Sequence, residues 1–131
     1  MSMLEQVPAI RRLEVNRPDL HAFDIVGHVS SAAVENLFGL LEAAYALHRR
    51  VDVLIRLIDV EEVDWDDVAG ETMRQGKADA RQHVARCAVV GTADALSVAQ
   101  GFFLNARPVD YKQFSPEEEE AAWTWIGGRL A

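Results

Sequence analysis

The stretch Gly70-Glu-Thr-Met-Arg-Gln-Gly76-Lys77 carries the residue types that could wrap a phosphate: two glycines and a following lysine. A phosphate-binding loop has four residues between its glycines, a Ser or Thr after the lysine, and a place between a strand and a helix. Here five residues separate the glycines, Ala78 follows the lysine, and the stretch lies inside a predicted helix. Nucleotide binding is not expected there. The single cysteine, Cys87, lies in the run Arg86-Cys-Ala-Val-Val90, where it reads as a small core residue. A nucleophilic thiol more often sits at a partly exposed turn or helix start. The four histidines, His21, His28, His48 and His83, form no His-Glu-x-x-His pattern and have no cysteine pairs beside them. His28 stands out because it follows Gly27 at the end of a predicted strand. No serine lies in a Gly-x-Ser-x-Gly elbow. The acidic run Asp59, Glu61, Glu62, Asp64, Asp66 and Asp67 lacks the alternation and central glycine of a calcium loop. It reads as a solvated strand-to-helix connection whose charge suits a helix N-terminus. The expectation is no catalytic residue, no metal and no cofactor.

The elements that would position these groups follow from periodicity. Segments 10–16 and 20–26 alternate around Asn16-Arg17-Pro18-Asp19, a turn signal, and predict an antiparallel pair. Ser30 or Ser31 can cap a helix in which Val34, Leu37, Phe38, Leu41 and Tyr45 share one face, ending near His48-Arg49-Arg50. The nearly continuous aliphatic run 51–58 predicts a strand covered on both faces. Asp64 can cap a second helix over about 65–82. Segment 86–90 is another buried strand, Thr92 can cap a third helix to about Asn105, and 109–114 is a last strand. Ser115-Pro116-Glu117-Glu118 has the form of a capping box opening a final helix, with Ala121, Ala122, Trp125, Ile126 and Leu130 inward. The order ββαβαβαβα predicts an α/β fold: one five-stranded, mostly parallel sheet with an antiparallel first strand and four flanking helices.

Two helices carry the functional interest. The third, 93–104, has Leu96, Ala99 and Phe103 on one face while Val98, Phe102 and Leu104 point elsewhere. Apolar residues on most sides mean burial, or a surface offered to a ligand, a partner or a membrane interface. The second has a thin inward face of Trp65, Ala69, Thr72, Met73, Gly76 and Ala80, which suits close packing or a space for something apolar. Its Arg74, Lys77 and Arg81 form a stripe that is either simply solvated or able to meet anionic head groups.

The chain has 131 residues, a net charge of −8, a hydrophobic fraction of 50% and one cysteine. That length predicts a single domain over 1–131, with 1–9 expected as a flexible N-terminus. The acidic balance argues against a nucleic-acid partner. One cysteine excludes an internal disulfide and suits a reducing compartment. No signal peptide and no membrane-spanning run is evident, so a cytoplasmic protein, at most peripheral to a membrane, is expected.

The element order and several local patterns resemble the SpoIIAA-like branch of the STAS superfamily. They are the two-strand start, Trp65-Asp66-Asp67 after an acidic loop, Arg86-Cys-Ala-Val-Val-Gly91, and Phe114-Ser-Pro-Glu-Glu followed by Ala122-Trp-Thr-Trp-Ile126. The resemblance implies a five-stranded sheet with four helices. Through the branch's likeness to CRAL-TRIO lipid carriers, it also implies a small apolar ligand or a membrane surface met through the third-helix region. Related anti-sigma-factor antagonists use a phosphorylated serine after the third strand. That junction here, Asp59-Val-Glu-Glu-Val-Asp64-Trp65, has no hydroxyl, and Thr72 is the first one available. The expected function is a non-catalytic module with Trp65, Met73, Leu96, Phe102 and Phe103 lining an apolar site between the second and third helices. Its alternative is a protein-interaction regulator, and a homodimer is possible on the same surface.

Overall fold

The computed structural model describes residues 9–98 and 109–131. Its elements are β1 (Ile10–Leu13), β2 (Leu20–Val29), α1 (Ser31–Leu47), β3 (Val51–Val63), α2 (Gly70–His83), β4 (Val84–Val90), α3 (Ala93–Val98), β5 (Asp110–Phe114) and α4 (Glu119–Ile126). The sheet has five strands in the order β1-β2-β3-β4-β5. β1 runs antiparallel to β2, and every other neighbouring pair is parallel.

Each parallel crossover moves one strand further in the same direction, so right-handed connections place α1, α2 and α3 on one face. The helix that follows β5 covers the other. Strand alternation divides the core accordingly. Phe23, Ile25, Val53, Ile55, Cys87 and Val89 meet Val34, Leu37 and Leu41 of α1 and Ala80 of α2. Leu20, Ala22, Leu54, Ala88 and Val90 point the opposite way, against Ala122, Trp123 and Ile126 of α4.

The caps explain most boundaries. The Ser30 hydroxyl accepts from Ala33 N, and Thr92 does the same for Ala95 N. At the start of the last helical segment, Ser115 N donates to the Glu118 carboxylate while Glu118 N donates to Ser115 O. The predicted second helix is shortened, however. Trp65–Asp67 is a single 3-10 turn, Val68 returns to extended backbone and is buried, and α2 begins only at Gly70. Asp64 makes no cap hydrogen bond, because its carboxylate is taken by His28. β3 runs to Val63, past the expected end at 58, since its acidic stretch pairs with the end of β2 beyond a register shift. Gly27 (φ 68°) and Asp59 (φ 51°) supply the left-handed backbone for that irregularity.

The inward face of α4 also differs from the expected one. Trp123, Ala122 and Ile126 are buried, Trp125 is partly buried, and Ala121 and Leu130 are exposed. The segment opens with a 3-10 turn at Pro116–Glu118, and its tighter winding alters the helical phase. A Schellman motif ends the helix: Gly128 N donates to Trp123 O and Gly127 N to Thr124 O, with Gly127 at φ 76°. The third helix is described only through Val98, so its predicted end lies outside the described residues.

Candidate functional site

A cavity of 320 Å³ opens between α1 and α2 above β3 and β4. Leu37, Phe38, Leu41 and Tyr45 form the α1 wall; Val53, Ile55 and Cys87 form the floor. The α2 side contributes Thr72 and Gly76, and Glu42, Glu71, Gln75 and Asp79 complete the polar mouth. The space exists because α2 sends little into the core: Ala80 is its one fully buried residue. Gly76 leaves room for the Phe38 ring, which lies 3.2 Å from where a Cβ would stand. Toward the C-terminal end of α2 the helices are tied together. The Tyr45 and His83 rings stack at 4.7 Å, and His83 Nδ1 donates to Arg49 O.

The titrating groups at the floor and wall are held neutral. Complete burial pushes the Cys87 thiol up to about 12, so it carries almost no thiolate at neutral pH. Burial, then the fields of Asp79, Cys87 and Glu42, raises the Tyr45 hydroxyl well above the usual tyrosine range. Among the described residues, no hydrogen bond joins either group to the carboxylates of Glu42, Glu71 or Asp79, which line the same space. The floor and the α1 wall are apolar, and a group entering the space would be desolvated there.

Among the described residues, the expected site residues fall around this cavity rather than in it. Trp65, Met73 and Leu96 are partly buried and packed against the helical-face core, but none lines the space. Phe102 and Phe103 lie outside the described residues. Arg74, Lys77 and Arg81 are all exposed, and Arg74 is ion-paired with Glu71. The site anticipated between the second and third helices includes residues outside the described ones, whereas the 320 Å³ space lies on the α1 side of α2. Its α1 wall was legible as a helix face (Leu37, Phe38, Leu41, Tyr45) and read only as core.

His28 is at the C-terminal end of the sheet, between two carboxylates. Its Nε2 is 2.9 Å from Asp64 Oδ2 and its Nδ1 3.3 Å from Glu62 Oε1. With a carboxylate on each ring nitrogen, the arrangement suits an imidazolium, and the Asp64 hydrogen bond raises the His28 pKa first of all. These three residues could also approach a cation together. Their exposure and existing mutual pairing make them an ion-pair cluster.

The α4 face holds a charge network that sequence reasoning missed. Arg56 donates to both oxygens of Asp24, at 2.7 and 3.0 Å, and to Glu119, which also accepts from Trp123 Nε1. Asp52 accepts from Arg17 and from Arg86 N. Those two arginines reach across to the end of α4, donating to Ile126 O and Trp125 O. Asp24 and Asp52 are buried, so this network docks the helix rather than recruiting a ligand. Charges inside otherwise apolar strands were the available signal.

Comparison with known proteins matches the chain to the SpoIIAA-like family over residues 20–127. No curated protein matches it. Among solved structures, an uncharacterised protein of the DUF3478 family with a SpoIIAA-like fold, from Shewanella loihica PV-4, superposes with a TM-score of 0.63. The two are 22% identical, and the match covers 95% of this chain and 99% of that one. At that identity the likeness speaks for fold.

Proposed function

The chain belongs to the SpoIIAA-like family, and on that footing we propose that it is a non-catalytic module holding a small apolar ligand between α1 and α2. The observation that carries this reading is the 320 Å³ cavity, with aliphatic and aromatic walls and a few polar groups confined to its mouth. That size lies at the small end of ligand pockets, about 300–1,000 Å³. Its thiol and phenol are protonated at neutral pH, which supports binding over chemistry.

Membrane docking through Arg74, Lys77 and Arg81 is the weaker version of the proposal. Arg74 is already paired with Glu71, which reduces the net charge the stripe offers a lipid head group. No helix among the described residues is long and apolar enough to cross a membrane.

The test is solvent extraction and native mass spectrometry of the purified chain, followed by titration with octanol. Octanol should bind and raise the melting temperature, as any ligand selective for the folded state does. Thr72→Trp, at the half-buried mouth, should abolish binding while the far-ultraviolet spectrum stays native. A chain that carries nothing and ignores octanol would overturn the reading.

A further inference from the structure

The mouth of the cavity is charged with one sign, and we propose that its ligand is an apolar amine, bound as the ammonium, rather than a fatty acid or an organic phosphate. This rests on the reading of the cavity as a ligand site. Glu42 projects from α1, and Glu71 and Asp79 from α2, while no lysine, arginine or histidine lines the space. Glu71 shares its charge with Arg74 in an exposed pair. Asp79 accepts a hydrogen bond from Gln75 Nε2 at 2.8 Å, a neutral partner that leaves its charge in place. Neither Glu42 nor Asp79 forms an ion pair among the described residues.

The apolar floor sharpens that field. Val53, Ile55 and Cys87 exclude water beneath the mouth, and charge interactions strengthen as the local dielectric falls. At Tyr45, burial first and then the nearby carboxylates oppose a negative charge on the hydroxyl. A ligand carboxylate at the same depth would meet both penalties. An ammonium would lose hydration but gain attraction to Glu42 and Asp79. The hydrocarbon part would take the space beside Leu37, Phe38 and Leu41.

The experiment is calorimetric titration of the full chain at neutral pH with octylamine, octanol and octanoate, three probes with the same hydrocarbon and different heads. Octylamine should bind at least about tenfold more tightly than octanoate, with octanol between them, a difference of about 1.4 kcal/mol. In the Glu42→Gln/Asp79→Asn double variant the amine and carboxylate should come within about threefold of each other. That variant also separates the mouth from the attraction any acidic chain has for amines. If octanol does not bind, the cavity reading itself fails. If octanol binds but octanoate equals or exceeds octylamine, or the preference survives in the double variant, the charge assignment is wrong and the cavity reading stands.

Discussion

Cys87 and His28 show how one residue type is made inert or responsive by its neighbours. With its thiol pushed up to about 12, Cys87 should react with Ellman's reagent at pH 8 on the order of a thousandfold more slowly in the native chain than in urea. Fast native reaction would mean that the cavity floor opens readily. His28 has the opposite sign. Its folded pKa lies above its unfolded value, so the Asp64 and Glu62 pairing stabilises the fold fully below the unfolded pKa, near 6.5. That contribution fades as pH rises through the folded pKa. Wild type should therefore exceed His28→Gln in stability at pH 5.5, and the gap should close on the alkaline side. Urea melts across that range, with an NMR titration of the imidazole, would check both halves. A gap independent of pH would assign the difference to packing instead.

At the scale of the element, α4 is held by two devices with different energetics. One is steric. A Cβ on Gly128 would lie 2.2 Å from Leu20 Cδ2, and Leu20 is buried at the centre of that core. Gly128→Ala should cost about 1–3 kcal/mol through overpacking, measured by denaturant unfolding. Gly127→Ala would be destabilising for another reason, the positive φ of the helix stop. The second device is electrostatic. Arg56→Met leaves Asp24, 4% exposed, with only Arg11 at 3.9 Å. A loss of about 2–3 kcal/mol follows, below the full cost of an orphaned buried charge because Arg56 keeps some solvent contact. Adding Asp24→Val should recover much of it, since the apolar replacement removes the orphan. If the double variant is no better than the single, the pair contributes more than mutual compensation.

For the whole molecule, the two cores share one sheet. Val53 and Ile55 point to the helical face while Leu54 between them points to α4, so neither layer can be lost without exposing the back of the other. Unfolding should be a single transition, with Trp65 on one side and Trp123 on the other reporting the same midpoint. Separate midpoints for single-tryptophan variants would show that α4 detaches alone. The strands and helices, their order and most caps were legible in the sequence, because period-2 and period-3.6 patterns are local and Ser30, Thr92 and Ser115 act within one turn. The late start of α2 was not. It depends on Val68 finding the core and on His28 claiming Asp64, and residue 28 is distant in sequence.

The sequence by itself determined the α/β class, the strand that is antiparallel, the buried cysteine and the want of a phosphate loop or phosphorylatable junction. Each rests on residue type and short spacing, which the chain carries wherever it folds. Only the tertiary structure decided where the thin face of α2 leaves its space. Tyr45 is far in sequence from Asp79 and Cys87, and they meet through two crossovers of the sheet. Side chains from α1 that pattern alone assigns to core therefore became walls, and scattered carboxylates became a mouth with a sign. A cavity is a mismatch between surfaces, and no single segment encodes it.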